Sequence, residues 1–154
     1  MRIWKKGQLF VADLTVWTIV MLLILTLLSS VWLDAYHRTQ ERTDKNIMSK
    51  SLVYASELLV SEGSPVSIVR GGKLDTDKMD KFIKRCREDY EVTREMLGLY
   101  HSGCNLDYGV VVYYLNGTVI GSCNADLVNG LVYNRYITDD TGNVVVVSLK
   151  VNKA

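Results

Sequence analysis

Proline occurs once in this 154-residue chain, at Pro65, and no glycine or proline lies between Gly7 and Gly63. Nothing in that interval forces a turn, so the first third of the chain cannot be a string of short elements and reads instead as one long helix. At about 1.5 Å per residue such a helix runs to roughly 80 Å, well beyond what a bilayer requires. Charge of one sign is also missing. Eighteen basic residues against 17 acidic ones leave a net charge of +1, and there is none of the basic excess by which a nucleic-acid-binding surface announces itself.

Histidine and cysteine are scarce, at two and three residues. His37 and His101 are far apart, and Cys86, Cys104 and Cys123 form no CxxC pair, so metal-ligand spacing is absent. Neither a nucleophile elbow nor a phosphate loop is present, and no enzymatic function or cofactor is expected. A membrane-tethered hydrolase would have to assemble its site from unmarked residues, of which Glu95, His101 and Asp107 are the nearest in sequence. Internal repeats and low-complexity segments are lacking too.

What is present is a strongly apolar run. Leu14 to Leu33 carries no charge, which matches the about 20 residues needed to cross roughly 30 Å of hydrocarbon. Arg2, Lys5 and Lys6 precede it and a mixed set, Asp34, His37, Arg38, Glu41 and Arg42, follows. The positive-inside bias puts the N-terminus in the cytoplasm and the rest of the chain outside, as a single-pass membrane protein. Trp4 and Trp32 flank the run as interfacial anchors. The apolar core is too long for a secretory signal, and Ser29-Ser30 is the only small pair near its end, so a retained anchor is expected.

The parts follow in order: a basic leader over residues 1–7, a long helix over 8–62 and a small extracytoplasmic α+β head over 63–154. Residues 9–33 of the helix cross the membrane and residues 34–62 form a stalk. Ile47, Met48, Leu52, Ala55, Leu58 and Leu59 recur at intervals of three to four, a stripe that has to be covered by the head or, nearer the membrane, by neighbouring copies. Gly63 and Pro65 end the helix, and a connecting segment reaches Lys73. Asp75 or Thr76 caps a second helix with Met79, Phe82, Ile83 and Cys86 on one face, and Gly98 stops a further turn. From Asp107 the pattern becomes extended. Tyr108–Leu115 and Thr118–Ser122 form a hairpin about Asn116-Gly117. Leu131–Ile137 and Asn143–Val151 form a second pair, giving a four-stranded antiparallel sheet with the long helix on one face.

Two covalent features are expected in the head. With a two-residue turn at Asn116-Gly117, Cys123 falls opposite Val110. A Cys104–Cys123 bond then requires the chain before Asp107 to fold back, and Cys86–Cys104 is the alternative, with the third thiol buried. Asn116-Gly117-Thr118 is a glycosylation sequon, although turn geometry alone accounts for its Asn-Gly.

The junction Lys5-Lys6-Gly7-Gln8 before the apolar run resembles the class III signal peptide of archaeal type IV pilin-like proteins. In that family a basic leader ending in glycine is removed on the cytoplasmic side by a prepilin peptidase. The segments Ala55–Val60, Lys73–Phe82 and Arg135–Val151 are similar to the family in layout. The resemblance implies cleavage between Gly7 and Gln8 and a structural subunit of a surface filament, a minor one by its three tryptophans and the position of its acidic residue. Its partners would be the membrane, the peptidase and other pilin-like subunits or further copies of itself. In typical pilins an acidic residue stands fifth after the cut and pairs with the free amine of a neighbour. Here Ala12 is fifth and Asp13 sixth, which turns the carboxylate by about 100° around the helix. As an assembly residue Asp13 has a plainer alternative, a carboxylate reaching the cytoplasmic headgroups. The chain also fits a permanently anchored protein with a sensing or ligand-binding ectodomain, which would keep its leader.

Overall fold

The computed structural model describes residues 3–101, 104–127 and 129–153, with the side chains of residues 3–12, 101 and 104 outside the described set. Helix α1 runs without interruption over Ile3–Val60. It starts before the expected position 8, because backbone hydrogen bonding extends through Gly7, and it ends two residues before the expected 62. The chain divides into two compact units, Met1–Asp44 and Lys45–Ala154. The last four turns of α1 therefore belong to the same unit as the head, whose compact body begins well before Gly63.

The second unit is α+β. After α1 come the short strands β1 (Val69–Arg70) and β2 (Lys73–Leu74), then α2 (Thr76–Glu88), α3 (Tyr90–Met96), and the strands β3 (Tyr100–His101), β4 (Cys104–Tyr114), β5 (Val119–Cys123), β6 (Leu131–Thr138) and β7 (Val144–Lys153). Among the described residues the strands lie in the order β1-β2-β6-β7-β4-β3, with β5 also on β4. The β5-β4-β7-β6 centre is antiparallel throughout, as the two hairpins imply. The sheet as a whole is nevertheless mixed, because β2 joins β6 in parallel through Lys73 and Thr138. The expectation of four antiparallel strands missed this, since two-residue strands leave no periodicity to read.

The turn chemistry follows the sequence closely. Val110 lies opposite Cys123 and Val112 opposite Gly121, the register expected from Asn116-Gly117, but a bulge between Val112 and Tyr113 then pairs Tyr113 with Val119. Asp75 caps α2 by accepting from the Lys78 amide at 3.1 Å. Gly98, at φ +68°, ends the helical region where a side chain would strain the backbone. Gly109 is required for a different reason: a Cβ there would stand 2.3 Å from the Asn124 carbonyl oxygen.

One core joins the layers. Leu52, Ala55 and Leu59 of α1 meet Met79, Phe82, Ile83 and Cys86 of α2, together with the alternating Leu106, Tyr108, Val110 and Val112 of β4 and the inward residues of β7. Strand β7 is buried on both sides at Val146, which sits in register between Tyr113 and Tyr136 on the outer face of the sheet. Tyr90 stacks on Tyr108 with ring centroids 4.7 Å apart, and its hydroxyl accepts from the Tyr108 amide at 2.8 Å. Burial pushes the Tyr108 phenol well above its ordinary range. Arg135 ties sheet to helix, donating to Ser56 Oγ at 3.3 Å and to the Glu57 carboxylate at 3.3 Å.

The disulfide is Cys86–Cys123, with Cα atoms 6.3 Å apart. Neither expected pairing forms. Cys86 belongs to the apolar face of α2, and Cys123 shares the inward side of the sheet with Val110, so packing brings these two together. Cys104 starts β4, and its side chain lies outside the described residues.

Closing a loop of 37 residues restricts the unfolded chain by roughly 3–4 kcal/mol in the entropic account. The double change Cys86→Ser, Cys123→Ser should therefore lower the thermal midpoint of the second unit, in the full chain in detergent, by at least about 10 °C, measured by circular dichroism.

The β6–β7 turn supplies a second test. The Asp139 carboxylate accepts from the Thr141 hydroxyl and amide and from the Asn143 amide and side chain. These bonds, the Thr141 hydroxyl first, hold its pKa down to about 2. At pH 3 the unfolded aspartate binds a proton that the folded one does not, so this contribution is complete above about pH 4 and disappears as pH falls through about 2. Acid unfolding of Asp139→Asn should accordingly show a shallower dependence on pH between those limits than the parent chain.

Candidate functional site

The feature that demands a functional account is the apolar half of α1. Leu14, Trp17, Leu22, Leu25, Leu28, Val31 and Trp32 are all more than half exposed, and the large apolar residues between them are exposed too. No residue in the most apolar window of this helix is buried by any other part of the chain. Soluble monomers rarely expose contiguous apolar patches larger than a few hundred Å². An uncovered surface of this extent needs hydrocarbon or other protein around it.

Polar groups within the span are arranged to suit such surroundings. Thr18 Oγ1 donates to the Leu14 carbonyl at 2.8 Å, Thr26 to Leu23 at 2.8 Å, Ser29 to Thr26 at 2.9 Å and Ser30 to Leu27 at 2.8 Å. A hydroxyl buried in hydrocarbon without a partner costs several kcal/mol, whereas one bonded back to its own helix does not bear that penalty. The backbone is likewise satisfied within the helix, as a spanning segment requires. Charge returns immediately afterwards, where Asp34 and Arg38 pair at 2.8 Å across one turn, both largely exposed. The helix is thus long and apolar enough to cross a membrane, with an abrupt polar boundary at Asp34.

Asp13 stands at the N-terminal edge of the apolar run, exposed, on the same continuous helix. Gly7 and Gln8 lie within the helical backbone, while their surroundings, like those of Trp4, fall outside the described residues. Asn116 is exposed at the β4–β5 turn, and its Oδ1 accepts from the Thr118 amide at 2.9 Å, so the sequon asparagine is held in an Asx turn.

Of the residues named for a hydrolase, Asp107 has structural partners. Asp107 lies 3.8 Å from the buried Arg94, which also pairs with Glu91, and it accepts from the Tyr90 hydroxyl at 3.5 Å. Glu95 is exposed on α3, and the side chain of His101 falls outside the described residues. Among the described residues, no group of three or more His, Cys, Asp or Glu is placed to hold a metal.

Two features escaped the sequence reading. The Cys86–Cys123 pairing had a signal, since both residues occupy apolar faces. The internal bonding of the span's hydroxyls had one as well, in the spacing of Ser and Thr with respect to carbonyls three or four residues back. In comparisons with known proteins, no family model, curated protein or solved structure matches this chain.

If the span lies in a bilayer, the double change Leu22→Arg, Leu25→Arg adds roughly 5–7 kcal/mol to insertion. The parent chain should stay with membranes through alkaline extraction, while the variant should appear in the soluble or aggregated fraction.

Proposed function

We propose that this protein is a membrane-anchored, pilin-like structural subunit of a surface filament, one that enters the filament through the apolar half of α1. The observation that carries the reading is the uncovered Leu14–Leu33 surface, continuous within one helix with a stripe, Leu52, Ala55 and Leu59, built into a compact α+β unit. Such a helix has two acceptable environments, a bilayer and the packed helices of its own kind, and a subunit moving from one to the other keeps its apolar surface covered throughout.

Two further features support it. The junction Lys5-Lys6-Gly7-Gln8 resembles the processing site of class III signal peptides, and cutting there leaves the apolar helix at the new N-terminus. The Cys86–Cys123 bond fits an oxidising, extracytoplasmic compartment for the second unit, in agreement with the basic residues before the span. In this reading Asp13 is the carboxylate available to a neighbour's terminal amine, one position later than is usual. The filament role is structural and needs no catalytic group.

Coexpression with an active archaeal prepilin peptidase, followed by intact-mass measurement of the membrane-extracted protein, tests the proposal. The expected outcome is loss of residues 1–7 with the active peptidase and an intact chain with an inactive one. An uncut leader in the presence of a peptidase that processes a control pilin would assign the chain to permanently anchored proteins with a sensing or binding ectodomain.

A further inference from the structure

We propose that the second unit carries an oxyanion-binding site, a cavity of about 160 Å³ between the Ser64–Ser67 loop and α2 that takes one phosphate or sulfate group. Three cations line it, Lys78, Lys81 and Arg85, and no carboxylate does. Their spacing of three and four residues puts them on one flank of α2, beside the ring of Phe82, which forms part of the cavity wall.

One of these charges is held in place, and none of them is neutralised by an ion pair among the described residues. The half-buried Lys78 donates from Nζ to the Val69 carbonyl at 2.8 Å, which fixes the ammonium at the wall and leaves two of its three protons to donate. Among the described residues Arg85 makes one long side-chain contact, from its guanidinium to Met96 Sδ at 3.9 Å. Among the described residues, none of the three is ion-paired with a carboxylate. Of the acids near them in sequence, Asp77 and Asp80 are exposed and outside the cavity lining, and Asp75 is already engaged by Arg70 at 2.9 Å and by the Lys78 amide. Glu88 is paired with Lys84 at 3.9 Å, away from the cavity lining.

The loop side adds a hydroxyl. Ser64 Oγ accepts from the Val66 amide at 3.3 Å, and its own O–H has no acceptor among the described residues. Ser67 is committed to the loop itself, donating to the Val69 carbonyl and accepting from the Val69 amide. The available donors are therefore Lys78, Lys81, Arg85 and Ser64, an all-donor set without a matching acceptor. A tetrahedral oxyanion, which accepts from several directions at once, complements that set in charge and in hydrogen bonding. Size restricts it further: about 160 Å³ holds one such group with a water or two but not a nucleoside, which needs a pocket of several hundred Å³. The anion is either free or an ester carried at the edge of a larger molecule.

Isothermal titration of the full chain in detergent, at constant chloride, with inorganic phosphate, sulfate and glycerol 1-phosphate, tests the site. Saturable binding is expected, weakened about tenfold or more in Lys81→Gln, Arg85→Gln because two charge-assisted hydrogen bonds are removed. Lys84→Gln, one residue off the cavity on the same helix, should change it less than about twofold. Circular dichroism confirms that both variants are folded. Binding of the glycerol ester identifies a carried phosphate and binding of the inorganic ions alone a free one, both in support of the site. No saturable binding with any of the three anions, or an equal loss in Lys84→Gln, would overturn the proposal.

Discussion

Everything in this molecule follows from one constraint: α1 carries apolar surface over most of its length, and that surface has to be covered. Between Leu52 and Leu59 the chain does this for itself, setting α2 and the sheet against the helix so that Ala55 and Leu59 are completely enclosed. Between Leu14 and Leu33 it supplies nothing. The helix has no breaker at which these two regimes could separate into different elements. The same rod is core on one side of the boundary at residues 44 and 45 and uncovered on the other.

Within the second unit, the elements that follow α1 are fastened to its last turns and to one another by more than apolar contact. Arg135 reaches from β6 to Ser56 and Glu57, Leu59 accepts from the Ile68 amide at 2.9 Å, and the disulfide binds α2 to β5. Gly109 lets the chain leaving β5 pass close over β4, and the Asn124 side chain then donates to the Tyr108 carbonyl at 2.8 Å. The disulfide and the Asn124 bond lie where α2, α3 and β4 meet, near the stacked Tyr90 and Tyr108, while Arg135 and Ile68 secure the end of α1.

Much of this was legible in the residues. The run without glycine or proline marked α1, the stripe from Ile47 to Leu59 marked its covered face, and a two-residue turn at Asn116-Gly117 implied Val110 opposite Cys123, a pairing that the structure reaches by a turn in which Tyr114 bonds Thr118 and a bulge that offsets it. What was not legible depended on tertiary placement. Strands β1, β2 and β3 are two residues long and owe their pairing to neighbours. The bulge at Val112 and Tyr113 leaves no mark in an alternating pattern of Val and Tyr. The disulfide pairing was within reach, but only by asking which cysteines point into the core instead of which lie near in sequence. For the functional surface, the apolar run and its charged borders were plain from composition, whereas the covering of one part of α1 and the exposure of the other became evident only from packing.

The hydroxyls of the apolar helix carry one more implication. Thr18, Thr26, Ser29 and Ser30 each have a single O–H, and each has already given it to a carbonyl of its own helix. None of these four protons is left to donate across to an adjacent helix, and the hydroxyl oxygens can take part only as acceptors. Lateral contact along this surface therefore draws mainly on shape and dispersion, summed over many weak atom pairs. Between Leu14 and Leu33, then, these four hydroxyls act as fastenings within one helix and offer no donor that would lock it to whatever lies alongside.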